Sequence, residues 1–348
     1  MSMRPGELAQ GPRPATARPL LEVRALTKHF DVGRGRVLQA VDGVSLEIGE
    51  REVLGLVGES GCGKSTLGRT IVGLHDKTAG EVRYRGEPLP ARYRAADFKR
   101  WARKIQMIFQ DPASSLNERM TLREIVAEGP LLNGRWRRSE VQARVAGWLE
   151  RVGLSADQMS RYPHEFSGGQ KQRIGIARAL ALEPELVICD EPISALDVSV
   201  QAQVVNLLAD LKATMGLTLL FIAHDLSMVR YVSDRTAVMY LGQLVELGKA
   251  DDVFFRPKHP YTRSLIAANP EPDPAKERRR AHAAPRGEIP SPVNLAPGCR
   301  FTGRCPFAAD VCRVKDPAWL EVEPGRFVAC HLFDRESGHP GAGTGGGA

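Results

Sequence analysis

The sequence is poor in long apolar runs. None of its segments approaches the roughly 18 residues that a membrane-spanning helix needs. The best of them, Leu217 to Ala223, has the length of a strand. The opening residues MSMRPGELAQGPRPATARPL lack the apolar core of a secretory signal and read as a disordered Pro- and Arg-containing tail over residues 1–20. The chain is therefore expected to stay in the cytoplasm. A sustained heptad repeat is also missing, which argues against a long coiled coil.

What is present fits an ordinary folded chain. Its 348 residues suffice for one large domain, or for a domain of roughly 250 residues with an appendage. Hydrophobic residues make up 43% and charged residues 26%, as in globular proteins. A net charge of +7 suits an anionic membrane face or nucleic acid. Arginine-rich solvated faces would give the same figure, so charge alone selects no partner.

The densest chemistry lies in Gly58-Glu59-Ser60-Gly61-Cys62-Gly63-Lys64-Ser65-Thr66. The run Arg51 to Val57 before it is of strand type, and Leu67, Ile71 and Leu74 after it have helical spacing. A strand, a glycine loop and a helix are the context that the spacing G-x4-G-K-[ST] requires of a phosphate cradle. Glycine lets backbone amides approach phosphate oxygens, and the helix N-terminus adds positive potential. Lys64 would reach the β- and γ-phosphates of ATP, and the Ser65 hydroxyl would bind Mg²⁺.

Further along, Leu186-Val187-Ile188-Cys189-Asp190-Glu191 is an apolar strand ending in two carboxylates. Alone, it would be a plain strand end. Beside a glycine loop, Asp190 is suited to hold Mg²⁺ and Glu191 to polarise an attacking water. Between the two lies Phe166-Ser167-Gly168-Gly169-Gln170-Lys171-Gln172-Arg173, which opens a helix carrying Ile174, Ile176, Ala177 and Leu180. A second glycine-capped helix terminus is a second anion site. Since one chain has no need of two cradles for the same phosphate, this one is read as serving a nucleotide held by a partner.

These motifs, in this order, resemble the ATP-binding subunits of ABC transporters over residues 21–250. The resemblance implies an α/β fold: an ABC-type P-loop ATPase core with a mainly parallel sheet, an inserted helical subdomain over about 111–165, and a C-terminal cysteine-rich extension over 251–333. It implies that Phe30 stacks on adenine, a contact worth about 1 kcal/mol. It implies that Gln110 senses Mg²⁺ and the attacking water, that Asp197 belongs to a loop speaking across a dimer, and that His224 contacts the γ-phosphate. Two such subunits would sandwich two ATP molecules, closing on binding and opening on hydrolysis.

Tyr162-Pro163-His164-Glu165-Phe166 and the stretch from Arg256 to Leu265 are similar to those of oligopeptide and dipeptide importers, whose relatives also carry nickel. That narrower resemblance implies a bacterial ATPase peripheral to the cytoplasmic face of the inner membrane. Its expected partners are a second, related but non-identical ATPase, two membrane permease subunits and an external solute-binding protein. An ABC-type ATPase acting on nucleic acid, with a structural metal site, is the competing reading. The single motif set and the lack of heptads weigh against it, and no direct nucleic-acid contact is expected. Residues 266–298 read as a linker and 334–348 as a second tail.

Four of the six cysteines, Cys299, Cys305, Cys312 and Cys330, fall within 32 residues at spacing C-x5-C-x6-C-x17-C. Disulfides are disfavoured in a reducing compartment, and unrelated thiols would seldom cluster so tightly. Zinc sites favour pairs two to four residues apart, and none occurs here. The uneven spacing, together with the similarity to peptide-importer ATPases, favours a structural [4Fe–4S] cluster over zinc.

Overall fold

A computed structural model describes residues 18–194, 196–268 and 290–343. Most of the expected N-terminal tail, most of the expected linker and residues 344–348 lie outside the described residues, as does Ala195. Two sheets organise the rest. The first is antiparallel, of strand order β2-β1-β4-β5, from β1 (Leu21–Asp31), β2 (Val37–Ile48), β4 (Ala79–Tyr84) and β5 (Glu87–Pro88). The second has eight strands in the order β11-β12-β10-β9-β3-β8-β7-β6. Its members are β3 (Val53–Val57), β6 (Ile105–Ile108), β7 (Leu186–Asp190), β8 (Thr218–Ala223), β9 (Arg235–Tyr240), β10 (Gln243–Lys249), β11 (Trp319–Glu323) and β12 (Arg326–Ala329).

The expectation of a mainly parallel sheet holds for the centre and gives way at the edge. β9, β3, β8, β7 and β6 run parallel, whereas β10, β12 and β11 pair antiparallel. The reason is connectivity. Parallel neighbours need a long crossover, while β9 reaches β10 through a two-residue turn that can only make a hairpin. The antiparallel sheet has no counterpart among the sequence expectations.

β3, β7 and β8 are buried along their whole lengths, as continuous apolar runs in a doubly covered sheet should be. Side chains alternate between faces. Val53 and Val57 therefore join Val187, Leu219, Phe221 and Val238 in one core, while Leu54 and Leu56 join Ile188, Leu220, Ile222 and Met239 in another. The second core is closed by β1, β2 and helix α1 (Lys64–Ile71). α2 (Ala95–Trp101) adds Trp101 to it.

The first core is closed by helices. Residues 112–165 contain α3 (Pro112–Ser115), α4 (Leu122–Leu132), α5 (Val141–Arg151) and short 3-10 turns. Val145, Trp148, Leu149 and Val152 are buried in this core, with Val141 packed against it. Thr121 caps α4 reciprocally with Glu124, which fixes where the helix starts. α6 (Gly168–Leu180), α7 (Val198–Met215) and α8 (Leu226–Val232) complete the cover.

The C-terminal part adds α9 (Ala250–Phe255), α10 (Pro260–Ala267) and α11 (Asp310–Val314). It is anchored by the buried ion pair of Arg326 in β12 with Glu246 in β10, at 2.9 Å. Glu246 also accepts the backbone N–H groups of Lys258 and His259. Severing a buried pair from one side costs about 3–5 kcal/mol, so this junction is a firm one. Residues 334–343 fold back on the cysteine segment, where the buried Ser337 hydroxyl donates to the His331 carbonyl at 2.9 Å.

Candidate functional site

The site forms where β3, β7 and β8 end, since parallel strands point their C-terminal ends at one shared crevice. The loop after β3 needs its glycines. A Cβ on Gly58 would sit 2.1 Å from the Met239 carbonyl oxygen, and one on Gly63, at φ 107°, would sit 1.9 Å from that of Ala40. The backbone thus lies flat against β9 and β2, and Ser60 and Gly61 are left exposed at the rim. Lys64 is buried, with Nζ donating to the carbonyls of Gly58 at 2.8 Å and Glu59 at 3.0 Å. Thr66 begins the first turn of α1 beside Ser65, and its carbonyl accepts from the Thr70 hydroxyl.

Ser65 Oγ donates to Asp190 Oδ1 at 2.6 Å. The other oxygen of Asp190, Oδ2, is buried without a hydrogen-bond partner among the described residues, and Arg69 approaches it at 3.7 Å. Burial raises the Asp190 carboxyl above its ordinary value, against the lowering pull of Ser65 and Arg69. Glu191 follows at φ 44°, a left-handed conformation that costs a non-glycine residue about 1 kcal/mol or more. Its amide donates to the Ile222 carbonyl at 3.0 Å, which ties the turn to β8. Three groups meet the Glu191 side chain. Gln110, just past β6, donates from Nε2 to Oε2 at 2.9 Å; His224, just past β8, places Nδ1 3.9 Å from the same oxygen; Lys64 Nζ lies 3.9 Å from Oε1.

Lys64, Ser65, Gln110, Asp190, Glu191 and His224 thus converge. The donor set fits a Mg²⁺–nucleotide: a buried carboxylate oxygen that accepts no hydrogen bond among the described residues, a hydroxyl beside it, and a loop in which Gly58 and Gly63 have no room for a Cβ. Other expected residues lie apart from this group. Phe30, in β1, is half-buried, with His75 edge-on at a centroid distance of 5.3 Å and Lys28 Nζ 4.5 Å from its ring centre. Ser167 and Gly168 are exposed at the start of α6. Ser167 Oγ accepts from the Gln170 amide at 3.4 Å while Gln170 Oε1 accepts from the Ser167 amide at 3.0 Å. Gly169 permits close approach to α7, since a Cβ there would lie 2.5 Å from Val200. Asp197 precedes α7, exposed, and makes no side-chain cap bond among the described residues.

Three participants went unnoticed in the sequence: Arg69, Tyr261 and Arg304. Arg69 lies one helical turn beyond Ser65, a spacing that could have flagged it. Tyr261 stands in a stretch noted only for its family likeness, and Arg304 lies beside Cys305, among cysteines read as metal ligands. Arg304 forks onto Glu59 at 2.8 and 2.9 Å, and the Glu59 amide donates to the Tyr261 hydroxyl at 2.9 Å.

The reading of Cys299, Cys305, Cys312 and Cys330 as ligands of a [4Fe–4S] cluster is overturned. Among the described residues no group of three or more His, Cys, Asp or Glu side chains is placed to hold a metal ion. The four thiols line a cavity of about 10 Å³, room for a single water at most. Burial pushes the Cys299 thiol up, Cys305 to about 11 and Cys330 to about 12. The segment is pinned by other means. Phe301 is 1% exposed and packs on Tyr240 and Tyr261, pairs worth about 0.5–1.5 kcal/mol each beyond burial. Arg300 pairs with Asp42 and bonds Gln39.

Residues 41–194 match the family model described as ABC transporter, and residues 245–312 match that of the oligopeptide/dipeptide transporter C-terminal region. The putative oligopeptide transport ATP-binding protein YkfD of Bacillus subtilis is 55% identical over 90% of this chain and 96% of its own length. The oligopeptide transport ATP-binding protein OppF of Salmonella typhimurium is 53% identical over 90% and 96%. Among solved structures, cbiO1 from Clostridium perfringens, part of the ABC transporter complex cbiONQ, matches with a TM-score of 0.60 at 28% identity, over 68% of this chain and 91% of that one. The ATP-binding cassette MJ0796, in a post-hydrolysis dimer bound to ADP and Pi, matches with a TM-score of 0.61 at 28% identity, over 66% and 98%.

Proposed function

Since the chain belongs to the ATP-binding subunits of oligopeptide ABC transporters, we propose that it hydrolyses ATP to power import of peptides across the cytoplasmic membrane, from that membrane's inner face. The observation that carries this is the meeting of Gln110, His224 and Lys64 on the Glu191 carboxylate at the mouth of the glycine loop. A nucleic-acid ATPase is not favoured, because the similar proteins are named for peptide transport.

The division of labour follows from position. The loop amides and Lys64 bind the phosphates. Ser65, Asp190 and Gln110 would hold Mg²⁺, which neutralises phosphate charge when bound. Glu191 accepts a proton from the attacking water, Gln110 orients that carboxylate, and His224 stands exposed where a γ-phosphate would arrive. Ser167, Gly168, Gly169 and Gln170 would serve the nucleotide of a partner subunit, Ser167 and Gly168 being exposed, and Asp197 would belong to the loop that speaks across the dimer. Phe30 would stack on adenine.

We assign residues 21–250 to the ATPase domain, with its helical subdomain at about 111–165, and the following extension to the importer type. A groove of about 360 Å³ between the core and the helical part supports a membrane partner. It is lined by Leu74, Tyr93, Phe98, Trp101 and Phe109, with Leu74 48% and Phe98 39% exposed. α1 stops at Ile71, which leaves Leu74 free to face it. The second ATPase is assigned as a related, non-identical chain. Mass spectrometry of the intact detergent-extracted complex tests the whole reading. It should contain this chain, a second ATPase and two multi-span subunits. Two copies of this chain alone would refute the heterodimer, and no membrane subunit at all would refute the transport role.

A further inference from the structure

Glu59 is the one acid in the loop from Gly58 to Thr66, a stretch that must receive a polyanion. A bare carboxylate there would oppose the phosphates. It is not bare: the Arg304 guanidinium grips both its oxygens, and the Arg304 side chain is only 6% exposed. That guanidinium in turn lies 5.9 Å from the ring centre of Tyr240 in β9 and 5.8 Å from that of Phe301, in the aromatic cluster that joins β9 to the C-terminal segment. The Glu59 amide is held by the Tyr261 hydroxyl, and its carbonyl accepts from Lys64 Nζ and the Cys62 amide. Each polar group of Glu59 is therefore bound, two of them by residues more than 200 positions away.

We infer that Arg304 is a positioning residue for ATP. It cancels the charge of Glu59 and, with Tyr261, holds the phosphate loop in its receiving shape, so the C-terminal segment sets the affinity of the ATP site. A bidentate fork does both jobs, because it fixes geometry as well as charge. The inference rests on the glycine loop being the ATP site.

Equilibrium binding of ATP and ADP to the full chain tests it. Arg304→Met should weaken ATP on the order of tenfold, the scale of coupling between linked sites, and ADP less, since ADP carries less charge. Adding Glu59→Gln to Arg304→Met should recover most of that loss, an outcome that mere damage to the fold would not produce. Arg304→Lys, which keeps the charge and loses the fork, should bind ATP more tightly than Arg304→Met. If Arg304→Met binds ATP as the wild type does, or if Glu59→Gln recovers nothing, the role is overturned. Should Arg304→Met fail to fold, Arg304→Lys decides: a tenfold loss there overturns the electrostatic role. Lys64→Ala is the control, because unchanged ATP binding in that variant would sink the nucleotide site itself and leave Arg304 aside.

Discussion

Gln110 and Glu191 lie 81 residues apart in sequence, yet the amide of one donates to the carboxylate of the other at 2.9 Å. The contact is possible because β6 and β7 are parallel neighbours in the sheet, so both strands deliver their next residues to the same rim. It aims one oxygen of Glu191 and leaves that carboxylate an acceptor, the state a general base must have.

Glu191→Gln should therefore lower ATP hydrolysis by about 10²- to 10⁴-fold while ATP binding persists. The amide removes the proton acceptor and no phosphate contact, so ATP should hold the dimer closed. Steady-state phosphate release with gel filtration in ATP reads both effects. Wild-type turnover in this variant would show that Glu191 is not the base.

Asp190 combines a buried oxygen that accepts no hydrogen bond among the described residues, and meets only the partly exposed Arg69 at 3.7 Å, with a carboxyl that burial holds above its ordinary value. A buried charge of this kind costs stability in the nucleotide-free protein. Asp190→Asn is expected to raise the melting temperature without nucleotide by a few degrees, at roughly 2–4 °C per kcal/mol, and to abolish Mg²⁺-dependent hydrolysis. A lower melting temperature would contradict the assignment of Asp190 as a site that trades stability for function.

The groove beside Leu74 and Phe98 should be where a membrane subunit seats. Leu74→Asp with Phe98→Asp is expected to weaken association with the permease subunits about tenfold or more, as loss of central apolar anchors does. ATP binding, measured separately, should persist. Undiminished copurification of the complex would move the docking surface elsewhere.

His259 is buried and caps α10, its Nδ1 accepting the Tyr261 amide at 3.0 Å. Burial, with Arg263 nearby, lowers its pKa from 6.5 to about 3. The folded value lies below the unfolded one, so the stability that His259 confers is complete above about pH 6.5 and declines as pH falls toward 3. In that window the unfolded chain takes up a proton that the native chain refuses. Denaturant unfolding at several pH values should show this slope, and His259→Asn should reduce it by one proton.

Local patterns made the ATP site legible. The glycine loop, the strand before it and the apolar run into Asp190 each fit within a dozen residues, and their chemistry is fixed by spacing. Pairings across long separations left no such mark. Glu59 and Arg304 are 245 positions apart, and only the fold places them together. β1 and β2 twist through register shifts that blur their alternation, which hid the antiparallel sheet. The four cysteines are close in sequence and do line one cavity, but spacing carried no information on its volume.

The hairpin of β11 and β12 has a consequence in time. Among the described residues β10 is paired on one side by β9 and on the other only by β12, whose Arg326 is made well after Lys249 closes β10. At about 10 residues per second, a ribosome leaves β10 an open edge for several seconds after β9 has joined it. Open edges recruit foreign strands. A chain cut short before Arg326 should therefore precipitate more readily than the full chain, and β12 acts as the seal on a newborn sheet.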